Sequence, residues 1–146
     1  RPLRIGTPAV RDGTVRDVQL KQGKSGALAF VTVAYRIVQH GILALEEEQD
    51  IVYKEPGPAV AAPVARELPP SPDGAWHRTI VPDTRTLFRF GALTFNAHRI
   101  HYDLPYARDV EGYPGLVVHG PLTAMLLLDL VHRHVARPVT AFTFRG

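Results

Sequence analysis

Gly120-Pro121-Leu122-Thr123-Ala124-Met125-Leu126-Leu127-Leu128-Asp129-Leu130-Val131 is the stretch on which the architecture turns. Proline is tolerated in the first turn of a helix, where its missing N–H has no partner to lose. Gly120-Pro121 therefore marks a helix start, Leu122 to Val135 its continuation and Pro138 its end. Met125, Leu126, Leu127, Leu128 and Leu130 go nearly all the way round it, and a helix apolar on every side has to be wrapped by other structure. Val139 to Phe144 after it and Trp76 to Val81 before it both read as strands. The expected class is α+β, a curved antiparallel sheet wrapped around one long buried helix.

Upstream, residues 1–55 read as β. Val15, Val18 and Leu20 stand among polar residues in a strand that ends at Gln22-Gly23-Lys24-Ser25-Gly26. Ala27 to Val38, rich in Val, Phe, Thr and Tyr, forms a second strand, and His40-Gly41 a two-residue turn. Ile42 to Leu45 and Ile51 to Tyr53 flank Glu46-Glu47-Glu48-Gln49-Asp50. That acidic run reads as the exposed face of a strand or a bulge rather than a metal site. Six of the thirteen prolines fall between Pro56 and Pro72, so residues 56–73 are expected to be an extended Pro/Ala-rich linker. Residues 74–146 form the second part. Pro82-Asp83-Thr84 offers a helix start there, with Leu87 and Phe90 as an apolar i, i+3 pair behind it.

The chain has 146 residues, enough for one domain with a real core, and its 45% hydrophobic and 21% charged composition is globular. The longest apolar run, Ala27 to Tyr35, is nine residues, against the roughly 20 that span a bilayer. No N-terminal stretch joins a charged to an apolar segment as a signal peptide does, so a cytoplasmic protein without membrane partners is expected. Zero cysteines exclude disulfides, cysteine-ligated zinc and a thiol nucleophile. The net charge of +3 invites a nucleic-acid reading, but basic and acidic residues interleave in both parts of the chain. No basic stripe emerges, and no nucleic-acid partner is expected.

Six of the seven histidines follow the linker, so the chemistry is expected there. Leu93-Thr94-Phe95-Asn96-Ala97-His98-Arg99-Ile100-His101-Tyr102-Asp103 packs two imidazoles, an amide, a guanidinium, a phenol and a carboxylate into a connecting segment. Tyr113-Pro114-Gly115-Leu116-Val117-Val118-His119-Gly120-Pro121 runs into the helix start, whose unpaired N–H groups and dipole can hold developing negative charge.

These two segments resemble the MaoC-like, (R)-specific enoyl-thioester hydratases of the hotdog fold, whose pattern is D-x-N-P-x-H followed about eighteen residues later by H-G. Asn96 to His101 falls on the hexapeptide and His119-Gly120 on the pair. The resemblance is closer to a double-hotdog branch, that of mesaconyl-C4-CoA hydratases and mitochondrial-type 3-hydroxyacyl-thioester dehydratases. It implies that residues 1–55 are the last strands of a first hotdog and residues 74–146 the start of a second. Arg1 would then stand in the middle of the first hotdog, and the chain would be part of a longer one. The two parts are expected to join into one sheet around the 121–135 helix, in a homodimer or pseudo-dimer.

The activity implied is reversible addition of water to an enoyl thioester carried by CoA or an acyl-carrier protein, with no cofactor and no metal. His101 would be the base and the Gly120 N–H the oxyanion donor. Asn96, standing where single-hotdog hydratases have Asp, would fix the water without deprotonating it. His98, Arg99, Tyr102, Val118 and His119 would line the substrate site. Other readings stay open: His101 as a structural histidine, His98 and His101 as a metal pair, and His119 as a structural residue beneath the helix start. Asp103 is read as a cap on the turn through Pro105, Asp129 as a polar-edge residue of the helix, and His132 and His134 as solvent-facing. A hotdog thioesterase and a non-catalytic acyl-thioester-binding module are the alternatives in function.

Overall fold

Alternation of apolar and polar residues over three long runs makes a meander of hairpins. The structure, a computed structural model, describes residues 2–23, 26–54 and 75–145. Strands β1 (Val10–Gly23), β2 (Gly26–Gln39) and β3 (Ile42–Lys54) form a three-stranded antiparallel sheet in the order β1-β2-β3. The β2–β3 connection is the expected two-residue turn. His40 at φ 53° and Gly41 at φ 72° give two left-handed residues, whose twist matches that of the strands they join. Extra residues interrupt the register between Val15 and Asp17 of β1 and opposite Ile37 and Val38 of β2.

The register puts Val15, Val18 and Leu20 on one face with Val31, Val33, Tyr35 and Ile37 of β2 and Leu45, Ile51 and Tyr53 of β3. This is a core-forming face, yet Leu20 is 81% exposed and Val15, Val18 and Tyr53 are open as well. The acidic run lies along β3 and is solvated. Arg36 Nε lies 3.4 Å from Glu46, and the Thr32 hydroxyl donates to Asp50 at 2.6 Å. At the other end Gln39 is buried with its amide satisfied. Its Oε1 accepts from Arg4 N–H at 2.9 Å, and its Nε2 donates to the Arg4 and Thr7 carbonyls at 3.0 Å.

The chain divides into two units, residues 1–58 and 59–146. The expected linker, residues 56–73, lies outside the described residues. In the second unit α1 (Thr84–Leu93) starts where Pro82-Asp83-Thr84 predicts. Asp83 accepts from Thr86 N–H at 2.8 Å and from its hydroxyl at 2.7 Å, and Arg85 Nε donates to the other carboxylate oxygen at 3.0 Å. Leu87 is buried on its inner face. The Thr86 and Arg85 bonds hold the Asp83 carboxyl at about 2, down from 3.8. A depressed carboxyl contributes stability above its unfolded pKa and loses it as pH falls through the folded one. Asp83→Ala is therefore expected to lower the melting temperature at pH 6 and to match the parent near pH 2, which thermal unfolding across pH 2–6 checks.

Helix α2 (Gly120–His134) carries Pro121 in its first turn as expected and ends at His134, short of Pro138. The sequence reading of a wholly buried helix needs correction. Leu122 is buried, but Met125 is 59% and Leu127 43% exposed. Leu126, Leu128 and Leu130 are half-buried, so the described residues cover the helix only in part. The predicted strands at 76–81 and 139–144 are also absent. Phe142 and Phe144 stack with centroids 6.4 Å apart, the alternation of an extended chain, but no described neighbour pairs with it. Strand propensity makes a chain extended, whereas a ladder requires a partner. At the helix end the His134 ring donates to the Leu130 carbonyl at 2.9 Å, and both His132 and His134 are exposed, as expected. Asp129 pairs with Arg133 at 2.8 Å and Arg78 at 2.9 Å on the polar edge assigned to it.

Candidate active site

The end of α1 aims the first polar group. Asn96 N–H reaches back to the Gly91 carbonyl at 2.9 Å, and Phe95 N–H to that of Ala92 at 3.4 Å, a Schellman closure. Glycine usually occupies the left-handed position of this motif. Here it is Phe95, at φ 53° and 96% exposed. The reversed chain then makes an Asx turn, Asn96 Oδ1 accepting from His98 N–H at 3.0 Å. The Asn96 NH2 group has no partner among the described hydrogen bonds and is left to donate.

A single 3-10 turn, Arg99–His101, places the second group. Ile100 and His101 are buried in it, and two hydrogen bonds clamp them to the segment entering α2. Val117 N–H donates to the Ile100 carbonyl at 2.9 Å, and His101 Nδ1 lies 2.8 Å from the Val117 carbonyl. A carbonyl only accepts, so Nδ1 carries the proton of the neutral ring and Nε2 carries the lone pair. The bond thus fixes the tautomer a base needs.

Behind His101 stands His119, the residue before α2. It is completely buried and stacks on the His101 ring with centroids 3.7 Å apart and planes at 19°. The Phe90 ring meets it edge-on at 4.9 Å, and neither ring nitrogen has a hydrogen-bond partner among the described residues. Burial first, and the His101 charge second, push its imidazole below the usual histidine value. His98 is exposed and meets His101 edge-on at 5.6 Å.

The remaining expected site residues separate. Arg99 donates twice to Asp103 Oδ2, at 2.7 and 3.0 Å, and lies 4.0 Å over the Tyr106 ring. Asp103 caps the following turn, accepting from Tyr106 N–H at 3.1 Å, as read from the sequence. The Arg99 bond is the main reason its carboxyl sits below the ordinary range.

Two adjoining cavities share Leu87, Phe88 and Tyr102 as walls. The smaller, about 340 Å³, also exposes Phe95, Asn96 and His101, so the candidate chemistry lies there. The larger, about 670 Å³, continues past Arg85, Leu104, Leu116 and Val118. Neither is lined by a carboxylate. Gly120, His98, Arg99 and His119 line neither cavity. Gly120 N–H, at the start of α2, has no acceptor among the described backbone hydrogen bonds. No three histidines or carboxylates among the described residues stand close enough to share a metal ion, and no described helix is long and apolar enough to cross a membrane.

Sequence reading missed the α1 face of the cavity: Leu87, Phe88 and Gly91. A signal for Gly91 existed, a lone glycine inside an amphipathic helical pattern. A Cβ there would stand 3.1 Å from the Asn96 carbonyl oxygen and 3.4 Å from His119 Nε2, so any larger residue would press the Asn96 backbone back by a few tenths of an ångström.

The family model for hydroxyacyl-thioester dehydratase type 2 matches residues 1–146. Mesaconyl-C(4)-CoA hydratase of Chloroflexus aurantiacus is 64% identical over 145 residues, 99% of this chain and 51% of that protein. Mitochondrial hydroxyacyl-thioester dehydratase type 2 of Schizosaccharomyces pombe is 32% identical over 106 residues, 70% of this chain and 34% of that protein. The chain thus spans about half the length of the first relative and about a third of the second.

Proposed function

Because the chain belongs to the hydroxyacyl-thioester dehydratase type 2 family, we propose that it carries the acid–base site of a hydro-lyase that adds water to an enoyl thioester, with the reverse dehydration at the same site. The observation that carries the reading is the His101 ring, tautomer fixed by Val117 and Nε2 left free, on a cavity that it shares with the Asn96 amide. The Chloroflexus relative supports a mesaconyl-type CoA thioester as substrate.

In hydration, the Asn96 NH2 group donates to the attacking water and His101 Nε2 takes one of its protons. The water oxygen bonds to the β-carbon, the double-bond electrons move onto the thioester oxygen, and the enolate so formed takes the proton from the imidazolium at its α-carbon. The Gly120 N–H, at the positive end of α2, is assigned to the oxygen on which that charge develops. Tyr102 and Val118, which line the cavities, frame the approach of the acyl chain and its carrier. Residues 1–55 are read as the closing strands of a first hotdog and residues 74–146 as the opening of a second. The open apolar face of the sheet supports a further layer over it, as a pseudo-dimer or homodimer would supply.

The test is incubation of the protein carrying this chain with mesaconyl-C4-CoA and crotonyl-CoA. Loss of enoyl absorbance without free thiol is expected. Free thiol would make it a thioesterase, and neither change would make it a binding module. Gly91→Ala is expected to lower turnover about tenfold by shifting Asn96. The substitution should alter stability by no more than about 1 kcal/mol, since alanine favours the helix that the crowding opposes. Steady-state rates and thermal unfolding of the same preparation check both.

A further inference from the structure

We infer that His119 is a positioning residue for His101: its ring, sealed and stacked flat on the base, holds that base against the Val117 carbonyl and leaves His101 Nε2 as the one proton-accepting site of the pair. The inference rests on the proposed role of His101 as the base.

Geometry carries it. A ring held by one hydrogen bond at Nδ1 still swings about that bond. A parallel ring at 3.7 Å, itself met edge-on by Phe90 of α1, removes that freedom. His119 lines neither cavity, so it acts on substrate only through His101. Among the described residues its two nitrogens are buried without partners, an unusual state for a polar ring that calls for an explanation beyond filling space.

Electrostatics supplies that explanation. A buried ring without an acceptor resists protonation, which keeps His119 neutral behind the base. The other groups facing the pair do not compete. His98 stands edge-on to His101 at 5.6 Å, α1 contributes the uncharged Phe90 and Gly91, and Arg99 is engaged by Asp103. A phenyl ring in the same place would preserve the stack but present a more electron-rich face, which favours the imidazolium and leaves less free base near neutrality.

The experiment compares His119→Leu, His119→Phe and His101→Ala in the protein carrying this chain, each checked for folding by circular dichroism. Rates are taken across pH 5–9, and the His101 ring nitrogens are read by 15N NMR. His119→Leu is expected to lower kcat about 10- to 100-fold with KM within about threefold, and to give a mixed His101 tautomer. His119→Phe is expected to restore kcat at high pH to within about threefold of the parent. Its acid limb should move up by ~0.5 pH unit relative to the parent. Folded His119→Leu with the parent's kcat and tautomer would overturn the inference, as would a phenylalanine variant no better than leucine. If the leucine variant does not fold, the phenylalanine acid limb decides: an upward shift supports the inference and an unmoved limb overturns it. Loss of activity in His101→Ala with an unaffected His119→Leu refutes this inference alone, whereas an active His101→Ala refutes the proposed function beneath it.

Discussion

His101→Ala is expected to lower hydration by about 10²–10⁴-fold, the usual loss when a well-placed general base is removed. The large value follows from the site having no substitute. Neither cavity is lined by a carboxylate, His98 is exposed with its ring edge-on, and His119 is sealed behind the base. Asn96→Ala is expected to cost nearer tenfold with an unchanged pH optimum, because one hydrogen bond of ~1–1.5 kcal/mol to water is lost and no proton carrier is. Asn96→Asp retains the oxygen that accepts from His98 N–H and adds a negative charge to the cavity. That charge favours the imidazolium form, so the acid limb of the rate profile should move to higher pH. The measurement is kcat against pH for the three variants. Equal losses from both alanine substitutions would make Asn96 and His101 one unit, and an active His101→Ala would end the mechanism.

Gly120→Pro is expected to lower kcat by about 10²–10³-fold, whereas Gly120→Ala should remain close to the parent. Proline deletes the N–H, and the alanine variant, which precedes Pro121 in the same way, controls for the cost of a side chain at this position. Position 120 is in the first turn, and His119 already holds φ −62° and ψ 130°, the conformation that a residue before proline prefers. Alanine keeps the N–H, and its methyl group would meet nothing nearer than Phe144 Cε1 at 4.0 Å. If the donor acts on charge that appears only in the transition state, KM should change far less than kcat. Steady-state kinetics separates the two, and equal rates for the proline and alanine variants would remove Gly120 from the mechanism.

Much of this was legible because it is local. Alternation located β1, β2 and β3, His40-Gly41 located their tight turn, and Pro82-Asp83 and Gly120-Pro121 located two helix starts. What failed depends on partners. Val139 to Phe144 has the residues of a strand and no described neighbour to pair with. Met125 and Leu127 have the character of a core and none of its cover. The site divides in the same way. Polar density singled out the segment from Asn96 to Asp103, and the capping role of Asp103 was readable from its position before Pro105. The stack of His119 on His101 joins residues eighteen apart, and the walls at Leu87 and Phe88 come from another helix. No periodicity in one chain reports such a meeting.

Phe95 sets stability and activity in competition at a single residue. A phenyl ring on left-handed backbone, 96% exposed, is held in a conformation that costs a non-glycine residue about 1–2 kcal/mol. Glycine would relieve that cost and close α1 just as well. An engineer selecting for heat resistance would therefore be drawn to position 95 early, and would remove a wall of the cavity that holds His101 in doing so. Screens that rank variants by melting temperature alone should enrich Phe95→Gly, and the enzymes they recover should be sturdier and slower.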